Sequence, residues 1–171
     1  MDTGRKALLA MCLLVGMGAF TAVHGVQSAI AGQEGTPVII RSVNADFDSV
    51  WEDLNIALGN RGLVVSGVSH VQKMLDRTGK ALGRTKKIFA RAKVLEFCSA
   101  VVSRDMMEKD PHFIAFCPYQ IAVYTIAGQE GKVYLSYRSL IWNDESGKAA
   151  REEVEKLLGG IVGDVIDMQK D

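Results

Sequence analysis

Two cysteines, Cys98 and Cys117, are the residues of this chain best suited to covalent or metal chemistry. Cys98 ends a predicted strand, and a predicted helix then returns the chain so that Cys117 lies on a neighbouring strand. Adjacent strands can hold two Cα atoms within the 4.4–6.8 Å or so that a disulfide requires. We expect a structural disulfide, and packed free thiols or a redox or metal site are the alternatives. The sequence has no C-x-x-C pair, so a thioredoxin-type mechanism has little support.

The other soft donors that could complete a metal site are two histidines and two methionines. Two thiolates with one histidine and one methionine suit copper or zinc, and the candidates are His70, His112, Met106 and Met107. Their spacing matches no known metal motif. The simpler interpretation is that one methionine fills the core and His112 is solvated. The sequence predicts no bound cofactor.

Glu96 is the candidate for acid-base chemistry. It falls between Val94 and Cys98 on the strand face that carries small and apolar residues. His70 or Arg138 is its expected partner, and a Glu–His pair in a cleft could transfer protons. Such a pair is more often a structural contact, which is the interpretation that we favour. No catalytic residue is predicted.

Residues 72–87 form a basic segment that holds a single acidic residue. Its anion-binding candidates are Lys73, Arg77, Lys80 and Arg84. The segment contains T-G-K, but it lacks the first glycine of a phosphate-binding loop, and alanine follows the lysine. Glycine amides and cationic side chains could still hold an anionic ligand. The simpler interpretation is a solvated loop whose charges balance acidic helices elsewhere.

The elements that must position these residues alternate between strands and helices. An apolar stripe at helical spacing follows the good N-cap Asp46, and another spans Lys148–Met168. Ser99 can cap a further helix that runs to about Lys109. Strands are predicted at residues 37–43, 63–71, 88–98, 113–126 and 132–142. The order is β-α-β, a basic linker, then β-α-β-β-α. This pattern predicts one α+β domain, with a sheet of about five strands and helices packed on one face.

Three glycines interrupt the last predicted helix. Gly159, Gly160 and Gly163 each weaken it by about 1 kcal/mol relative to alanine. Close packing of the helix backbone on the sheet would explain their presence.

The N-terminal residues have the layout of a secretory signal peptide. A basic head ends at Lys6, an apolar run spans Ala7–Val23, and Ala29-Ile30-Ala31 supplies a cleavage site. We expect cleavage after Ala31, which removes Cys12 and leaves residues 32–171 as one domain. The protein is then periplasmic or secreted, in an oxidising compartment. An uncleaved anchor is the alternative, although the run is short and diluted by glycine.

The composition narrows the range of partners. Twenty basic residues balance twenty acidic residues, so nothing in the overall charge favours nucleic acid. No second apolar run is long enough to span a membrane after cleavage. The expected binding partner is therefore a small ligand or another protein.

Several segments resemble the domain-of-unknown-function 302 family. They are the R-G-L and G-V-S-H-V stretch of residues 61–71, V-L-E-F-C-S-A at 94–100, A-F-C-P-Y at 115–119, and G-K-V-Y at 131–134. The resemblance covers about residues 47–140. It implies a compact α+β domain that self-associates, and it implies no activity.

Three functions therefore stand as hypotheses. The leading one is an exported, non-enzymatic module that binds a small ligand or a protein, with a homodimer formed through a sheet edge. The alternative is a periplasmic thiol, metal or redox protein centred on Cys98 and Cys117. The third is a hydrolase-like enzyme that uses Glu96 and His70.

Overall fold

The computed structural model describes residues 38–141 and 145–170. The predicted signal peptide, its cleavage site after Ala31, and the predicted strand ends Pro37 and Trp142 lie outside these residues. In the described part of the chain, no helix is both long and apolar enough to cross a bilayer.

The described residues form five strands, four α-helices and one 3-10 helix. In chain order they are β1 Val38–Asn44, α1 Phe47–Asn60, β2 Val64–Ser69, α2 Val71–Ala81, β3 Phe89–Cys98, α3 Ala100–Lys109, the 3-10 helix Pro111–Phe116, β4 Tyr119–Ile126, β5 Lys132–Arg138 and α4 Lys148–Met168. The α+β class and the five-stranded sheet predicted from the sequence are confirmed.

The sheet is antiparallel throughout, in the order β1-β5-β4-β3-β2. Helices α1 and α4 pack against each other, and their apolar stripes join the inward residues of the three central strands in one core. Fully buried members of this core include Leu54, Leu95, Ile121, Leu135 and Ile161. The central strands therefore have one face that contributes to the core and one face that points away from it.

Helix α1 begins as predicted at the Asp46 cap. The Oδ1 atom of Asp46 accepts hydrogen bonds from the backbone N–H groups of Asp48 at 2.8 Å and Ser49 at 3.2 Å. These bonds satisfy donors that the first turn would otherwise leave free. The cap fixes the helix so that its buried face, from Phe47 to Leu58, meets the sheet.

Helix α4 has the predicted bounds, and two of its glycines lie at close approaches. A Cβ at Gly159 would lie 3.2 Å from the Tyr137 hydroxyl oxygen, and one at Gly160 would lie 3.3 Å from the Arg61 guanidinium. A Cβ at Gly163 would have nothing within 4 Å. Close packing on the sheet thus accounts for Gly159, whereas Gly160 accommodates α1 and Gly163 is unconstrained.

The basic segment is a helix over most of its length, so its interpretation as a linker is wrong. Val71, Met74 and Leu75 have the i, i+3, i+4 spacing that places apolar groups on one side of α2. The helix packs against β3 beside residues 89–93, beyond the point where β2 stops pairing. A helix therefore borders the first half of β3, and an edge strand borders the second half.

The extended segment predicted at residues 113–126 is also wrong in its first part. Asp110 caps the 3-10 helix, because its carboxylate accepts the His112 N–H at 2.8 Å and Pro111 needs no partner for its nitrogen. Strand β4 starts only at Tyr119, after Pro118, which has no N–H to give to the ladder. Cys117 consequently lies in the short connection between the 3-10 helix and β4.

Strand β5 ends earlier than predicted because side chains of α4 form the hydrogen bonds with the backbone that follows the strand. Glu155 accepts the Leu140 N–H at 3.0 Å, and the buried Arg151 donates from Nε to the Leu140 carbonyl at 3.0 Å. Arg151 also donates to the Ser146 carbonyl. The sequence gives no sign of this buried arginine, which lies in a run of charged residues on α4.

Candidate functional site

The two faces of β3 separate the core from the residues that could do chemistry. Leu95 and Phe97 are buried in the core, whereas the alternating residues Glu96 and Cys98 are half-buried on the opposite side. We call this side the open face and define it by Glu96, Cys98, Gln120 and Arg138. Gln120 and Arg138 alternate with core residues in the same way on β4 and β5.

The end of β3 and the start of β4 are held together by two aromatic residues. Phe97 pairs with Tyr119 in the ladder, and their rings meet edge to face at 6.0 Å. The buried Tyr119 hydroxyl accepts a hydrogen bond from Ser103 of α3 at 3.2 Å. This packing places the residues next to Phe97 and Tyr119, namely Cys98 and the Cys117-Pro118 pair, side by side.

The thiols of Cys98 and Cys117 belong to neighbouring segments. The pairing of Phe97 with Tyr119 brings Cys98 beside the Cys117-Pro118 connection, and both thiols are free and half-buried. The sequence argument placed the two sulfurs on adjacent strands, and the structure has them as neighbours at the edge of the open face.

The surroundings keep Cys98 protonated near neutral pH. Burial, and secondly Cys117, raise the pKa of Cys98 to about 11. A thiol with that pKa is a weak nucleophile at neutral pH, because the thiolate is the reactive form. Cys98 therefore differs from the activated cysteine of a thiol enzyme.

A polar row runs from these thiols across the open face. The Gln120 amide donates to Glu96 Oε1 at 3.2 Å, and an Arg138 guanidinium nitrogen donates to Gln120 Oε1 at 3.4 Å. Arg138, one of the two predicted partners of Glu96, thus reaches it through Gln120. A Cβ at Gly67 of β2 would lie 3.0 Å from Glu96 Oε2, so glycine leaves the room that this carboxylate occupies. The sequence argument did not identify Gln120.

Of the other predicted metal ligands, His70 lies away from the thiols. Met106 is fully buried in the core. His70 follows Ser69, which pairs with Val94, and four residues of strand separate Val94 from Cys98 by about 13 Å. His112 lies in the first turn of the 3-10 helix. In residues 38–141 and 145–170, no three His, Cys, Asp or Glu side chains are grouped closely enough to hold a metal.

The basic candidates are divided between two depressions beside α2. Lys80 and Arg84 line a groove of about 520 Å³. Lys73 lines a smaller depression of about 280 Å³ with His70, Arg91 and Lys93. Arg77 is exposed on α2. The groove itself could not be found from the sequence, because it exists only once α2 has packed against β3.

The sequence profile of a family described as "Domain of unknown function DUF302" matches residues 39–163. The chain belongs to the DUF302 family. The match includes both cysteines, the whole polar row, α2 and most of α4. The family resemblance inferred from the R-G-L, F-C-S-A and F-C-P-Y segments is confirmed.

A solved structure shares the fold. The chain is similar to the crystal structure of an uncharacterized conserved DUF302 protein from Bacillus stearothermophilus, with a TM-score of 0.63 and 18% sequence identity. The alignment covers 77% of this chain and 99% of that chain. None of the curated proteins matches this chain. Family membership therefore establishes the architecture and leaves the chemistry to be argued from the residues.

Proposed function

We propose that this protein is an exported thiol–disulfide module in which Cys98 and Cys117 form a reversible disulfide. The observation that carries the proposal is that strand register places two free, half-buried thiols beside each other at the edge of the open face. Export rests on the signal peptide predicted at residues 1–31, and an exported thiol pair meets an oxidising environment.

The raised pKa of Cys98 assigns different roles to the two thiols. Because Cys98 stays protonated near neutral pH, the proposal assigns the first attack to the thiolate form of Cys117. That thiolate attacks an external disulfide and forms a mixed disulfide, and the leaving sulfur departs with an electron pair and takes a proton. Cys98 then loses its proton and displaces the external thiol. The net change is two thiols oxidised to one disulfide and one external disulfide reduced to two thiols.

The raised pKa of Cys98 bears only on the second step of this exchange, because Cys117 is the attacking thiol. In this proposal the protein changes its own redox state, and the external disulfide is the oxidant.

A redox titration tests the proposal. The purified protein is equilibrated in glutathione buffers of graded potential, quenched with an alkylating agent and analysed by intact mass. We expect one two-electron transition with a midpoint above about −300 mV, because structural disulfides usually lie below that value and exposed ones above it. Cys98→Ser should show no such transition and should form a mixed disulfide with glutathione at Cys117.

Two results would refute the proposal. A midpoint well below that value would make the bridge a permanent structural disulfide. Two free thiols at every glutathione ratio would show that this placement does not lead to oxidation. The leading hypothesis from the sequence, a ligand-binding module, has separate support in the groove beside α2.

A further inference from the structure

The groove beside α2 has the size of a small-molecule site. It lies between α2, the connection at residues 82–88 and the first residue of β3, and its volume is about 520 Å³. Sites for small ligands usually measure about 300–1,000 Å³ and are lined mostly by apolar groups with a few polar ones. This groove has both kinds of lining.

The apolar lining of the groove is incompletely covered. It consists of Leu75, Leu82, Ile88 and Phe89. Leu82 and Ile88 are 61% and 53% exposed, and no residue of α2 is fully buried. Apolar side chains that are exposed to water favour an apolar ligand, because binding removes apolar surface from water.

The charged lining of the groove is mostly cationic. It consists of Lys80, Arg84, Lys86 and Lys87, with one acidic residue, Asp76. The carboxylate of Asp76 already accepts a hydrogen bond from the amide of Gln72. Within the described residues, Lys80, Arg84 and Lys86 form no salt bridge. Their charges are available to an anion.

The cationic lining is anchored by the C-terminus of α2. The Arg84 N–H donates to the Gly79 carbonyl at 2.7 Å, and the Gly83 N–H donates to the Lys80 carbonyl at 3.3 Å. Gly83 has φ +66°, so the end of the helix is a Schellman motif. The motif fixes the backbone of Arg84 relative to Lys80, and the two side chains line one groove.

We propose that this groove binds a single-chain amphipathic anion, a carboxylate attached to an alkyl chain. The chain lies along Leu75, Leu82 and Ile88, and the carboxylate pairs with Lys80 and Arg84. An inorganic anion would leave the apolar lining exposed to water, and an uncharged alkyl chain would leave the cations without a partner. Both features of the groove are satisfied only by a ligand that carries both groups.

Calorimetric titration with monomeric dodecanoate tests this proposal. We expect binding with a stoichiometry of one, and much weaker binding of dodecanol and of inorganic phosphate. Lys80→Gln combined with Arg84→Gln should weaken dodecanoate binding about tenfold or more, since charge-assisted hydrogen bonds are lost. Leu75→Asn should weaken dodecanoate and leave any residual phosphate binding unchanged.

Matched variants separate the groove from general charge effects. Lys109→Gln combined with Lys156→Gln removes two exposed lysines from α3 and α4, outside the groove, and should leave the affinity unchanged. Cys98→Ser should also bind dodecanoate normally, so failure of the thiol proposal does not affect this one. Circular dichroism spectra must show that each variant is folded.

Three results would overturn the proposal. Equal affinity for inorganic phosphate and dodecanoate would show an anion site without an apolar component. Unchanged dodecanoate binding in both groove variants would place the ligand elsewhere. Binding to phosphatidylglycerol vesicles that depends on Lys80 and Arg84, without binding of monomeric dodecanoate, would make the segment a membrane-surface patch.

Discussion

Gly79→Ala tests the description of the C-terminus of α2, because this substitution has two effects of opposite sign on the free energy of unfolding. Gly79 lies inside α2, where alanine is favoured over glycine by about 1 kcal/mol. However, a Cβ at this position would lie 2.5 Å from the Arg84 carbonyl oxygen. That contact is shorter than folded proteins tolerate, and the obstructing atom is backbone.

The balance of these effects predicts a net loss of stability. Relieving the contact requires the backbone at Arg84 to move away, which lengthens or breaks the 2.7 Å hydrogen bond from the Arg84 N–H to the Gly79 carbonyl. Losing such a bond costs about 1 kcal/mol, and overpacking costs about 1–3 kcal/mol. After subtracting the gain in helix propensity, we expect Gly79→Ala to destabilise the protein by about 1–3 kcal/mol.

Gly163→Ala is the matched control. It makes the same chemical change inside α4, where a Cβ would have nothing within 4 Å. This variant should stabilise the protein by up to about 1 kcal/mol. Urea unfolding followed by circular dichroism measures both changes, and dodecanoate titration should show weaker binding for Gly79→Ala alone. Stabilisation by both substitutions would refute the description of the α2 terminus.

Three further predictions concern charges and the thiol. In the reduced protein, burial and secondly Cys117 raise the pKa of Cys98 to about 11, so the protonated thiol favours the folded state. The free energy of unfolding should therefore be constant below about pH 9 and fall between about pH 9 and 11. Urea midpoints measured across this range should show the fall, and Cys98→Ser should abolish it. Arg151→Met should destabilise the protein by on the order of 2 kcal/mol, because the carbonyl oxygens of Leu140 and Ser146 lose their donor. Arg104→Met, on the surface, should change the urea midpoint little. The hydrogen bond from Arg61 lowers the pKa of Asp164, so the ionised carboxylate should stabilise the fold above pH 3.8 and lose this effect as the pH falls further. Asp164→Asn should therefore reduce the dependence of the free energy of unfolding on pH in the acid range, and an unchanged dependence would contradict this assignment.

The parts of the fold that the sequence predicts correctly are those where local signals and burial agree. Asp46 caps α1, and the apolar stripe of α4 spans Lys148–Met168 as expected. On β3, the alternation that separates Leu95 and Phe97 from Glu96 and Cys98 is visible in the sequence because one face is buried. In each case the same residues specify both the local conformation and the packing.

The errors occur where a nonlocal contact decides the outcome. Helix α2 contains Gly79 and many cations, which favour a loop by composition, yet its glycine is required by the carbonyl of Arg84. The sequence of residues 113–117 is apolar enough for a strand, but Asp110 and Pro111 start a 3-10 helix there.

The candidate site was only partly visible for the same reason. Its cysteines could be chosen from their residue type and spacing, whereas Gln120 became part of the site only through strand register. The groove depends on how α2 packs, and no sequence pattern describes that packing.

Intact mass of the exported protein tests the central claim most directly. The full chain is expressed with export to the periplasm, unfolded without reductant in an alkylating agent, and weighed. The account predicts a chain that starts at Gly32, with no alkyl groups before reduction and two after mild reduction. Two alkyl groups on the unreduced protein would show that Cys98 and Cys117 remain thiols in an oxidising compartment, and would contradict the thiol–disulfide proposal.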